Sequence, residues 1–288
     1  MEEVVMLVDY HVHSEFSDDS QYEMEQVVKD AISKGLSEIC FTEHVDYGIK
    51  KDWDDPTGIE KRRGGVGESE WMYFANVDYP KYVEKIHLLQ RKYKDQITIK
   101  LGLEFGMQVH TIQKYEELFS KYDFDFILLS IHQIGDKEFW TGDYQAGKSQ
   151  QEYNEQYYNE LLNLVCHYKN YSCLAHLDLI VRYDPMGVYP FEKVKPIITE
   201  ILKQVIKDGK GIELNTSYHR YHLKDSQPSR DILRLYKELG GTIITIGSDS
   251  HKESHLGAYI EEAQSILKEI GFEYYCTFDQ MKPVYHKL

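Results

Sequence analysis

Cysteine is scarce and scattered: Cys40, Cys166, Cys173 and Cys276 are the only four in 288 residues, and no two form a Cys-x-x-Cys pair. That excludes a dense disulfide framework and a thiolate zinc site, and it suits a reducing compartment. No apolar run approaches the roughly 20 residues that a membrane-spanning helix needs. The start, Met1-Glu2-Glu3-Val4-Val5, is acidic where a signal peptide would be basic, so the expected location is the cytoplasm. Basic residues are outnumbered, 33 against 48 acidic, for a net charge of −15. Such a surface repels a phosphate backbone, and neither nucleic acid nor membrane is an expected partner. A small phosphorylated substrate remains compatible, because metal ions and one or two arginines can reverse the potential inside a cleft. Oligomeric state is left open.

What the chain does have is rhythm. Short apolar or β-branched runs at 4–10, 37–42, 97–103, 124–131, 171–176, 211–215 and 242–247 alternate with helical spacing near 21–34, 79–94, 111–121, 150–168, 191–208, 228–239 and 257–270. These are seven β-then-α units, and such alternation builds a parallel sheet with right-handed crossovers. Runs such as Phe126-Ile127-Leu128-Leu129 and Thr242-Ile243-Ile244-Thr245-Ile246 are apolar throughout, as in strands covered on both faces. An open sheet and a closed barrel both satisfy the rhythm. The length suits one barrel-type domain over residues 1–288. Residues 45–78, which include Lys61-Arg62-Arg63-Gly64-Gly65, break the rhythm and read as a lid over the site or a plain surface excursion.

Histidines and acids fall where the strands end. His11 and His13 close the first strand, His44 the second, Glu104 the third, His132 the fourth, His176 the fifth, and Asp249 with His251 the seventh. In an α/β barrel these carboxyl ends form one face, so residues distant in sequence converge there. His11-Val12-His13 adds a pair on one side of a strand, able to share an ion. Imidazole and carboxylate donors without thiolate suit Zn, Mn or Fe rather than Ca or Mg. So many donors exceed one tetrahedral ion, and two or three divalent ions with Glu104 or Asp249 bridging would use them all. Clusters of that kind activate water and clamp an in-line displacement at phosphorus.

The segments Asp9-Tyr10-His11-Val12-His13-Ser14, Thr42-Glu43-His44, Gly102-Leu103-Glu104, Ser130-Ile131-His132, Ala175-His176-Leu177-Asp178 and Gly247-Ser248-Asp249-Ser250-His251 together resemble the motifs of the polymerase and histidinol phosphatase (PHP) superfamily, over residues 9–251. The resemblance implies a distorted seven-stranded (β/α)7 TIM-like barrel with a trinuclear metal centre. In particular the chain is similar to PHP-type histidinol-phosphate phosphatases, which implies hydrolysis of L-histidinol phosphate to L-histidinol and phosphate through a metal-bridging hydroxide. It implies one metal among His11, His13, Glu104 and Asp249, a second sharing Glu104 with His132, and a third on Asp19, His44, His176 and His251. Asp19 departs from family members that carry histidine there, which should soften the third site; Asp18 is the neighbour that could substitute. Arg182 and Arg220 lie just beyond strands five and six, where position alone reads them as surface residues and the resemblance reads them as phosphate clamps. Glu15 and Asp46 are candidates, from charge alone, for a cationic amine on the substrate. His87, His110, His167 and His286 read as ordinary packing or surface residues, and His255 as a site neighbour or a helix cap. The alternatives are the same chemistry on another small ester or nucleotide, and a non-catalytic metal-binding scaffold. A carbon–nitrogen amidohydrolase would usually carry a fourth-strand lysine where this chain has His132.

Overall fold

The computed structural model describes residues 6–56, 60–63 and 71–288, with backbone alone for 60–63 and 71–74. Each apolar run becomes a strand: β1 (Val8–Val12), β2 (Glu38–Val45), β3 (Thr98–Gly106), β4 (Phe126–Ser130), β5 (Cys173–Leu174), β6 (Gly211–Asn215) and β7 (Ile244–Gly247). They lie side by side in sequence order, every pairing parallel. Past β7 the chain meets β1 again. Ser250 N–H donates to the His11 carbonyl at 3.1 Å and His13 N–H donates to the Ser250 carbonyl at 2.8 Å, which curls the sheet into a nearly closed barrel.

The crossovers are α1 (Met24–Ser33), α2 (Tyr79–Tyr93), α3 (Ile112–Phe119), α4 (Gln150–His167), α5 (Phe191–Lys207), α6 (Arg230–Glu238) and α7 (Ile260–Ile270). Local chemistry sets their ends. Ser149 and Glu152 form a reciprocal capping box at α4, the Asp78 carboxylate caps α2 with Pro80 in its first turn, and α7 stops where Gly271 takes φ 96°. In α5 the stripe Val194, Ile198, Ile201, Leu202 and Val205 is buried, so apolar area removed from water rather than helix propensity holds it to the sheet.

A hairpin that the βα rhythm does not contain follows α7. Its strands β8 (Tyr274–Asp279) and β9 (Lys282–Lys287) seal the amino end of the barrel. Phe278 packs on Phe126, and Phe126 on Tyr10, each at 5.0 Å between ring centroids. Tyr10 Oη accepts from the Phe278 N–H at 2.8 Å and donates to Glu38, the first residue of β2. The excursion after β2 contains an antiparallel pairing of 60–63 with 71–74. Of residues 45–78, read as a lid or a plain surface excursion, residues 57–59 and 64–70, with the side chains of 57–74, lie outside the described residues. Among the described residues no helix is long and apolar enough to cross a membrane.

Candidate metal centre

All the predicted donors meet at the carboxyl end of the barrel, around Glu104. This carboxylate is fully buried. Its Oε2 lies 3.1 Å from His11 Nε2, 3.6 Å from His13 Nε2 and 3.0 Å from His44 Nδ1; its Oε1 lies 3.1 Å from His132 Nε2 and 2.8 Å from His176 Nε2. The backbone gives way to make room. A Cβ on Gly247 would stand 2.3 Å from His11 Cβ, and one on Gly106 would stand 2.5 Å from His132 Nδ1, so neither position takes a side chain. His176 and Asp249 adopt left-handed φ values of 23° and 56°, conformations that cost a non-glycine residue energy and persist where the surroundings enforce them.

Donor atoms of four trios come within 4.8 Å of one another: His13, His44 and His251; His11, His176 and Asp249; His11, His13 and Glu104; and His44, Glu104 and His132. Asp19 joins the first trio, with Oδ2 at 3.0 Å from His251 Nε2 and 3.5 Å from His44 Nε2, and it is half exposed. His176 is therefore not grouped with Asp19, as the resemblance implies, but with His11 and Asp249. It leaves β5, across the barrel from the loop that carries Asp19. Asp18 does not stand in for Asp19 either, because it pairs with Lys50 at 2.6 Å.

These residues fit divalent ions. His13 Nε2 is buried without a hydrogen-bond partner and sits 3.6 and 3.7 Å from carboxylate oxygens of Glu104 and Asp249, too far for hydrogen bonds. Two ligands about 2.1 Å from one tetrahedral ion stand about 3.4 Å apart. Burial, together with the positive fields of His251, His44 and His11, holds His13 well below its ordinary value, leaving its lone pair free. Burial raises the Glu104 carboxyl, but His11, His132 and His44 outweigh it and keep the group well below the usual carboxylate range. Asp249 is held down in the same way, against burial, by His11, Arg182 and Arg220. His132 is pushed up to about 9, burial being outweighed by Glu104 and Asp46, so proton and cation compete for it.

A second layer aims the imidazoles. His11 Nδ1 donates to Glu213 at 2.6 Å, His132 Nδ1 to Asp46 at 2.7 Å, and His13 Nδ1 is 3.1 Å from Ser17, whose hydroxyl donates to Glu43 at 2.5 Å. Such partners fix tautomer and ring orientation. Asp46, which also lines the cleft, is engaged with His132 and, at 2.8 Å, with Lys50. Glu15 is not the amine acceptor that its charge suggested: its carboxylate accepts from the Met24 backbone at the start of α1. Glu43, Lys50 and Glu213 were not anticipated as site residues. Glu213 carried a signal, a carboxylate in the otherwise uncharged, fully buried strand Gly211–Asn215.

The arginines are not surface residues. Arg182 is 4% exposed, with Nη1 at 3.1 Å from Asp249 Oδ2, Nη2 donating to Ser217 Oγ and Nε to Gln227, both at 2.6 Å. Arg220 donates to the Ser248 and Asp249 carbonyls at 2.7 and 2.6 Å. Both border a cleft of about 530 Å³ whose wall includes His132, His176, Tyr183 and Tyr221, with Trp140 at its mouth. His255 borders it too. Arg182 also lies over the Tyr221 ring, 4.4 Å from its centroid.

Known proteins resemble this chain over most of its length. A family model described as "PHP domain" matches residues 9–217. A histidinol-phosphatase of Lactococcus lactis is 33% identical over 282 residues, covering 96% of this chain and 95% of its own. A probable histidinol-phosphatase of Clostridium acetobutylicum is 28% identical, over 93% of this chain and 97% of its own. The crystal structure of the L. lactis histidinol phosphate phosphatase, complexed with Zn, L-histidinol and phosphate, superimposes with a TM-score of 0.78 at 32% identity, covering 98% of this chain and all of that one.

Proposed function

We propose, because the chain belongs to the PHP domain family, that it is a metal-dependent phosphatase that converts L-histidinol phosphate to L-histidinol and phosphate, a step of histidine biosynthesis. One observation carries the reading: Asp19, His44, Glu104, His132, His176, Asp249 and His251 line a single cleft together with Arg182 and Arg220, and His11 and His13 lie buried directly behind, against Glu104 and Asp249. The L. lactis relative, similar over its whole length, carries Zn, L-histidinol and phosphate together. Two or three Zn, Mn or Fe ions would be held here, with the whole chain serving as one hydrolase domain in the cytoplasm, where its free cysteines suit the redox state.

Bound ions would supply Lewis acidity and lower the pKa of a coordinated water. The protein's own part is positional and electrostatic. Glu104 presents one oxygen to each side of the cluster, and Asp249 stays ionised beside Arg182 and Arg220. The guanidiniums are preorganised by Ser217, Gln227 and two backbone carbonyls to face charge on equatorial phosphate oxygens, where fixed donors stabilise the transition state without reorganising. Tyr221 and Trp140 offer flat apolar faces to the imidazole ring of the departing histidinol.

The test is phosphate release from histidinol phosphate and a panel of other monoesters, before and after prolonged chelation and after adding Zn, Mn or Fe. Activity that disappears with the metal and returns with it, highest on histidinol phosphate, is the expected result. Full turnover by metal-free protein overturns the mechanism, and a preferred nucleotide overturns the substrate.

A further inference from the structure

Glu213 lies in β6, fully buried, at the junction of two candidate ligands. Its Oε1 lies 2.6 Å from His11 Nδ1. Its Oε2 accepts the backbone N–H of His176 at 2.9 Å, at the residue with φ 23°. The same oxygen accepts from Asn215 Nδ2 at 3.1 Å, and Asn215 Oδ1 in turn accepts from Arg182 Nη2 at 3.4 Å. Gly247 packs against Oε1 so closely that a Cβ there would come within 2.5 Å of it, so the carboxylate has no room to turn away.

We propose that Glu213 is a positioning residue that locks His11 in the Nδ1-protonated tautomer and pins the strained backbone of His176, so that both imidazoles and Arg182 are set by one carboxylate. This rests on the reading of His11 and His176 as metal ligands. Only a group that accepts at both oxygens can do this. With the proton on Nδ1, His11 Nε2 carries the lone pair, and Nε2 is the atom that faces Glu104 and Asp249. An amide at position 213 keeps the shape but accepts at one atom only. If its oxygen serves His11, its NH2 opposes the N–H of His176; if its oxygen serves His176, its NH2 faces His11 Nδ1, and the proton moves to Nε2 and blocks the ligand position.

Glu213→Gln separates these possibilities, with Glu38→Gln as a control that alters a buried carboxylate at the opposite end of the barrel. Zn affinity is measured by competition with a chelator of known strength, and the ring tautomers by 15N NMR of histidine-labelled, Zn-loaded protein. Expected is a roughly 10- to 100-fold weaker Zn affinity in Glu213→Gln alone, with either an unprotonated His11 Nδ1 or a displaced His176 amide signal. Wild-type affinity in Glu213→Gln overturns the proposal, as does an equal loss in Glu38→Gln, which would mean general loosening. The unaltered protein supplies a check that needs no variant: His11 with its proton on Nε2 overturns the proposal. Unaltered protein that takes up no Zn overturns the metal centre itself, a different outcome from Zn uptake that ignores position 213.

Discussion

Glu104 and Glu38 are both buried glutamates in neighbouring strands of one barrel, and they are compensated in opposite ways. At the carboxyl end, His11, His132 and His44 outweigh burial and keep Glu104 charged. At the amino end Glu38 has the Tyr10 hydroxyl and the more distant Lys100, and burial outweighs both and raises its carboxyl. The first arrangement is sensible only with cations to share the donors; the second is a polar contact inside a seal of aromatic rings. Residues near Glu104 should therefore govern turnover, and residues near Glu38 should govern stability.

The largest expected effect is at the ligand end. Glu104→Ala should lower kcat at least about a thousandfold, beyond the loss of one preorganised donor, since a bridging ligand cannot be replaced without moving its ions; near-normal turnover in folded, metal-analysed protein would mean that the ligands are misassigned. Phe278→Ala should cost about 3–5 kcal/mol of stability by urea unfolding, while kcat/KM of the folded fraction stays put; a selective loss of activity would break the division of labour. Arg182→Ala should weaken kcat/KM for histidinol phosphate by about 2–4 kcal/mol, with Lys restoring only part because a point charge lacks the planar fork. Metal content should not change, and an unaltered kcat/KM would end the clamp assignment. The smallest effect is Tyr10→Phe, which leaves Glu38 and the Phe278 amide short of a partner and should cost about 1–3 kcal/mol. Its pH dependence has a definite sign. Glu38, raised in the folded state, contributes most below its ordinary value near 4.5 and loses that contribution as pH rises. The Tyr10 hydroxyl favours the ionised form, so its removal should cost more at pH 7 than at pH 4. Equal losses at both would place Glu38 outside the effect.

The seven strands and seven helices were legible because apolar period and strand-end chemistry agree at every unit, as in Ser130-Ile131-His132. The candidate donors other than Asp19 were legible for the same reason: each falls at or just past the end of a strand. Glu213 escaped because it sits inside a strand and not at its end. The grouping of His176 escaped because it depends on which strands face each other across the barrel. The β8–β9 hairpin gave no turn signal. Gln280 and Met281 adopt left-handed φ of 47° and 65°, where an Asn-Gly or Asp-Gly pair would have announced the bend.

The two hydrogen bonds between β1 and Ser250 form the seam where the barrel's beginning and end are stitched together. His11 and His13 stand on one lip of that seam, Asp249 and His251 on the other. Ions bound as proposed would rivet the lips, and prying the barrel open would first require letting the ions go. Binding that is confined to the closed form adds about 2.7 kcal/mol when free metal is a hundred times its dissociation constant. Heat resistance should thus track metal supply, and slow deuterium uptake at the amides of His13 and Ser250 would gauge loading.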